Sequence, residues 1–275
     1  MKSGMVYWLS LTLVGCCFHA GWVLAEAGDS RRIVSLDYCA DQFVLKLVEP
    51  ERIAAVSRDA TRDFSYMRDA AEAHRKIRPS AEHVLALAPD LIVRSYGGGP
   101  NAVQFYERLD IRVIQIGYAS TINEVRAEIL RIAEQLGEPE KAREIVADMD
   151  ARLQRVKARA SGKSLLYVTP GGVTSGAGSL VHDMIKAAGL VNFQTEPGWR
   201  SLPLEKLAFD QPELLATAFY DTETNHTNYW SAARHPMIRS QLSSTKSVSL
   251  DGATTACGGW FLVDAVEQLS EGAAQ

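Results

Sequence analysis

Two glutamates occupy matching places in an internal repeat. Glu82-His83-Val84-Leu85-Ala86-Leu87-Ala88-Pro89-Asp90-Leu91 and Glu205-Lys206-Leu207-Ala208-Phe209-Asp210-Gln211-Pro212-Glu213-Leu214 each set a carboxylate at a helix start, seven residues before a proline, an acid and a leucine. Capping the positive end of a helix gives each acid a local use worth about 0.3–1 kcal/mol, and does not exclude a second one. Cys39 and Cys257 are an even pair that reads either as a disulfide in an oxidising compartment or as two buried thiols. His74, His83, His182, His226 and His235 are scattered, without the close pairing of a metal site. Ser175-Gly176-Ala177-Gly178-Ser179 lacks the Gly-x-Ser-x-Gly spacing of a nucleophile elbow and the Gly-Lys-Ser/Thr of a phosphate loop. No triad order surrounds His182. The residues suit capture more than catalysis.

The elements that must position these groups divide around a helical middle. Thr121 with Glu124 is a capping-box start for a helix running to Gly137, and Pro139 opens a second one. That second segment carries Ala142, Ile145, Met149, Leu153 and Val156 on one stripe and is predicted to run from about 139 to 160, roughly 33 Å at 1.5 Å per residue. On either side, short apolar strands alternate with helices, which implies parallel sheets covered on both faces. The expected layout is α/β, with one lobe over 31–120, linking helices over 121–161 and a second lobe over 162–275. Expected strands include Arg32–Leu36, Asp90–Arg94 and Leu165–Val168. Ser57–Ser80 reads as irregular, Pro170–Ser179 as a glycine-rich loop, and Ala81–Ala88, Leu204–Asp210, Trp230–Leu242 and Trp260–Ser270 as helices. Residues 1–27 have the basic start and apolar run of a signal peptide, with Leu13-Val14-Gly15-Cys16 offering an alternative lipid anchor at Cys16. A net charge of −4 with no basic tract argues against nucleic acid.

Several stretches resemble the periplasmic substrate-binding proteins of ABC importers for vitamin B12, ferric siderophores and haem. They are Arg32-Ile33-Val34-Ser35-Leu36, Glu51 to Val56, Glu82 to Val93, Gly137 with Ala142, Ala188 to Asn192, Trp199, and Glu205 to Leu215. The resemblance implies two Rossmann-like lobes with parallel sheets, bridged by one long α-helix, and a monomer holding a metal chelate in the cleft between them. It implies that Glu82 and Glu205 dock on arginines of a permease dimer, and that the cofactor-free protein binds a cobalt or iron chelate as cargo. The carboxyl ends of the strands nominate Asp37, Tyr38, Tyr66, Tyr96, Gly98, Gly172, Trp199, Trp230 and Trp260 as ligand contacts. Tyr38 is a candidate iron ligand, and Arg58, Arg62, Arg94 and Arg200 are candidate partners for an anionic cargo. A free zinc or manganese binder is the nearer alternative. An exported α/β enzyme is the further one.

Overall fold

The computed structural model describes residues 32–157, 161–220 and 231–274; the expected export segment, Cys16, Trp230 and the expected end of the spine at 158–160 lie outside them. Five parallel strands, β1 (Ile33–Ser35), β2 (Ile53–Ser57), β3 (Lys76–Ile77), β4 (Leu91–Arg94) and β5 (Arg112–Gln115), form a sheet in the order β3-β2-β1-β4-β5. Helices α1 (Tyr38–Leu47), α2 (Arg68–Ala71), α3 (Ala81–Leu85) and α4 (Ala102–Glu107) connect them. Every residue of β1 and β4 is buried, as expected of strands covered on both faces. Strand order reverses between β1 and β4, so the loops after these two strands flank a crevice.

Two linking helices follow, α5 (Ile122–Leu136) and α6 (Pro139–Lys157). Thr121 accepts from the Glu124 amide, Glu124 Oε2 accepts from the Ser120 amide, and Gly137 ends α5 in the left-handed conformation at φ 81°. The stripe on α6 buries Ala142, Met149 and Val156, with Ile145 and Leu153 packed beside them.

The second parallel sheet has β6 (Ser164–Val168), β8 (Val191–Asn192), β10 (Leu214–Ala218) and β11 (Ser247–Leu250) in the order β11-β10-β6-β8. Helices α7 (Leu180–Ala187), α8 (Leu204–Leu207), α9 (Pro236–Ser244) and α10 (Leu262–Ala274) accompany it. A small antiparallel ribbon of β7 (Val173–Ser175) and β9 (Trp199–Ser201) projects from this lobe. One continuous apolar core joins Ile33 and Phe43 of the first lobe, Ile129 and Met149 of the linking helices, and Leu165, Leu214 and Val263 of the second.

The elements depart from expectation where tertiary pairing or proline decides. Ser57–Ser80 contains α2 and β3, the latter a two-residue edge that only its neighbour β2 defines. The glycine-rich loop contains β7, which exists because β9 pairs with it. Helix α3 stops at Leu85, and Pro89 keeps the residue before it out of the helical region, with Ala88 at φ 43°. Pro236 splits the segment after Ser231 into a single tight turn, Ala232–Arg234, and α9, whose first position it fills.

Candidate functional site

The crevice at the end of β1 and β4 is built around a buried carboxylate. Asp37 Oδ1 caps α1 by accepting from the Ala40 amide at 3.0 Å. Its Oδ2 accepts from the amides of Ser95, Tyr96 and Gly97 at 2.7, 3.0 and 2.8 Å. Arg94, also buried, grips the carbonyls of the same loop: Nε donates to Gly97 O at 2.7 Å and Nη2 to Gly99 O at 3.1 Å, while Nη1 donates to Gln115 Oε1. An anion holding the amides and a cation holding the carbonyls fix the loop from both ends of its peptide dipoles. Asp37 and Arg94, expected to meet cargo, are therefore spent inside the protein.

On this loop Tyr96 and Gly98 line an N-terminal-lobe pocket of about 470 Å³ with Ser57, Arg58, Asp59, Arg78 and Ser80. The half-buried Tyr38 ring packs edge-on against Phe64 at 4.7 Å and Tyr96 at 5.9 Å. Burial first, then the carboxylates of Asp37 and Asp59, raise the Tyr38 phenol above its ordinary value. Burial does the same to Tyr96.

A second cavity, of about 420 Å³, lies between the lobes. The first lobe supplies Cys39, Phe43, Ser95, Gln115 and Tyr118; the second supplies Leu180, Met184, Trp199, Thr255 and Cys257. Trp199 stands on β9, 52% exposed, its ring edge-on to Tyr167 at 6.3 Å. Tyr118, in the link between β5 and α5, is 76% exposed. Sequence reasoning passed over Tyr118, although its place after β5 follows the rule that nominated the other loops. Trp199 and Tyr118 bring two exposed aromatic side chains to the cavity.

Below this cavity the lobes are fastened together. Cys39 at the start of α1 and Cys257, five residues ahead of α10, form a disulfide with S–S 2.00 Å and Cα–Cα 5.6 Å. Tyr66 stacks on Phe261 at 4.6 Å and donates its hydroxyl to Asp264 Oδ2 at 2.6 Å. Arg152 on α6 pairs with Asp264 at 2.6 Å and with Glu267. Trp260 packs edge-on against Phe43 and Tyr66, with the Lys46 ammonium 5.8 Å from its ring centre. Burial, followed by Asp264, pushes the Tyr66 phenol up to about 12. Tyr66 and Trp260, expected as ligand contacts, are thus parts of the joint between lobes, because long-range aromatic partners claim their rings.

Gly172 also serves packing. At φ 73°, a side chain there would meet the Ala232 amide at 2.5 Å, and Ser231 Oγ donates to Pro170 O beside it. Glu82 and Glu205 are both exposed, each at the second position of its short helix. Neither carboxylate has a hydrogen-bond or ion-pair partner among the described residues. No group of three or more His, Cys, Asp or Glu converges among the described residues, and no described helix is long and apolar enough to cross a membrane.

Solved structures share this architecture. The periplasmic haem-binding protein HutB of Vibrio cholerae aligns at TM-score 0.70 and 18% identity over 88% of this chain and 98% of its own. The periplasmic vitamin B12 binding protein BtuF of Vibrio cholerae aligns at 0.64 and 20%, over 89% and 96%. A protein of an ABC-type Fe3+-hydroxamate transport system from Saccharomonospora viridis aligns at 0.65 and 18%, over 88% and 92%. At such identities the likeness is one of fold. No curated protein sequence matches the chain. The solved neighbours named here are binding proteins or transport components rather than enzymes. The sequence model for periplasmic binding proteins matches residues 33–239, most of the two lobes and the helices between them, and the chain belongs to that family.

Proposed function

We propose that this protein is the extracytoplasmic substrate-binding component of an ABC importer, capturing a metal chelate between its lobes and handing it to a permease. The observation that carries the reading is the cavity between the lobes, lined from both of them and bordered by the exposed faces of Trp199 and Tyr118. A cavity of 420 Å³ is within the usual range for small-molecule sites, and a larger chelate would fill it and project toward solvent. Capture needs no chemistry on the cargo. It needs area, flat walls and a pre-formed shape.

Delivery rests on one short helix of each lobe, α3 and α8. Glu82 and Glu205 occupy equivalent positions of the repeat and have no partner within the described structure. Leu85 stands one turn from Glu82, and Phe209, 93% exposed, one turn from Glu205. An acid beside an apolar knob on each lobe suits a two-fold permease surface, with arginines giving register and the knobs giving contact area.

The test is isothermal titration of the protein with cyanocobalamin, a ferric trihydroxamate, haemin, zinc and manganese, joined to uptake in cells. Sub-micromolar binding of one chelate and none of free metal is expected. The Glu82→Ala, Glu205→Ala double variant should abolish uptake at unchanged chelate affinity. Unaltered uptake would remove the docking role, and a response to free metal alone would replace the chelate.

A further inference from the structure

We infer that the chelate taken by the cleft between the lobes carries no net charge, the charge of its metal being balanced within the chelate itself, and that Tyr118 is one of its contact walls. This rests on the chelate-binding reading above and narrows the ligand class. Among the described residues that line it there is no Asp, Glu, Lys, Arg or His. Its polar groups are neutral, namely Ser95, Gln115, Tyr118 and Thr255.

The arginines that could have answered a carboxylate are engaged or placed elsewhere. Arg94 lies behind the wall with Nε, Nη1 and Nη2 given to Gly97, Gln115 and Gly99. Arg200, next to Trp199, turns Nε to the Pro197 carbonyl at 3.0 Å and lies 4.0 Å from Glu196. Arg58 stands 3.6 Å from Asp59 in the neighbouring N-terminal-lobe pocket, which Arg78 shares. Arg62 lines neither pocket.

A carboxylate or catecholate oxygen pressed into such a cavity would shed its water and gain no counter-charge, a loss that apolar contact does not offset. A chelate whose own groups already balance the metal, as three hydroxamates do for a ferric ion and as corrin, cyanide and a phosphodiester together do in cyanocobalamin, has no unbalanced charge to leave without a partner. Hydroxyls at Ser95, Tyr118 and Thr255 match its carbonyl oxygens, and the rings of Trp199 and Tyr118 cover its apolar periphery. Tyr118 is the more exposed of the two rings, so its area is there to be buried by cargo.

Competition among charge types decides the matter. The purified protein is titrated calorimetrically with cyanocobalamin, a neutral ferric trihydroxamate, haemin and a ferric tris-catecholate, at low and at high sodium chloride. The expected result is a preference of about 100-fold or more for one of the two uncharged chelates. Its affinity should vary less than about two-fold with salt, because no charge pair is there to be screened. Tyr118→Ala should weaken that chelate about ten-fold at unchanged melting temperature. Equal or tighter binding of haemin or the tris-catecholate overturns the inference and leaves the chelate-binding reading in place. Binding of none of the four overturns both. An undiminished affinity in Tyr118→Ala removes that residue from the site.

Discussion

Asp41, on the buried side of α1, is a carboxylate with no exposed surface, held by the Ser57 amide at 2.9 Å and the Ser57 hydroxyl at 2.6 Å. Burial outweighs the hydrogen bonds from Ser35 and Ser57 and raises its carboxyl from 3.8 to about 7. A carboxyl raised on folding binds its proton more tightly in the folded state. Its contribution to stability is therefore complete at low pH and declines as pH climbs to about 7. Urea midpoints should show the wild type losing about 2–3 kcal/mol between pH 5 and pH 8 from this group, and Asp41→Asn losing that slope. Parallel slopes would mean that Asp41 is ionised in the fold. Trp199 belongs to the same scale: half-exposed, it should cost about 1–3 kcal/mol of chelate affinity on replacement by alanine, at unchanged thermal stability. A lower melting temperature at unchanged affinity would make it a packing residue. Residue types announced that Asp37 stands in a loop at a strand end. Residue types did not announce that the Asp37 carboxylate faces amides 58 to 60 positions away, since only the sheet order brings β1 beside β4.

Elements that carry their own signals were legible. The α5 cap at Thr121, its glycine stop at Gly137 and the Pro139 start of α6 are local chemistry, and the structure shows each of them. The ribbon of β7 and β9 and the two-residue β3 were not legible, because each depends on a partner strand rather than on its own few residues. The joint that Tyr66 and Arg152 make with Phe261 and α10 belongs to this class. Tyr66 and Trp260 read as aromatics near a cleft, and only the packing at the start of α10 shows that they face each other and Phe261. Tyr66→Phe separates the two uses. It removes the hydroxyl that donates to Asp264 and keeps the stack on Phe261, so stability should fall by about 1–2 kcal/mol while chelate affinity stays within about two-fold. A marked loss of affinity in calorimetry would return Tyr66 to the cleft.

At the scale of the molecule, two restraints bear on how far the lobes can move. One is covalent: the Cys39–Cys257 bond joins positions 218 residues apart. Closing so long a loop in the unfolded chain is the larger part of its stabilising effect, and Cys39→Ser with Cys257→Ser should lower the unfolding free energy by about 2–5 kcal/mol. The other restraint is the apolar core that continues from the first lobe through α5 and α6 into the second, with the Arg152–Asp264 pair above it. Hinge closure around a ligand asks a few loop residues to absorb large backbone changes, and a core crossing the boundary leaves little for such a hinge to do. The cleft should therefore receive cargo with little change of shape. Small-angle scattering, with and without the best-bound chelate, should give the same radius of gyration within error. The double serine variant tells the two restraints apart. If the core sets the lobes, its radius is as insensitive to ligand as that of the wild type, although the variant melts earlier. A contraction on binding that appears only in the variant would mean that the disulfide alone holds the cleft at its width. A contraction already present in the wild type would mean that neither restraint holds it, and the pre-formed cleft would have to be given up.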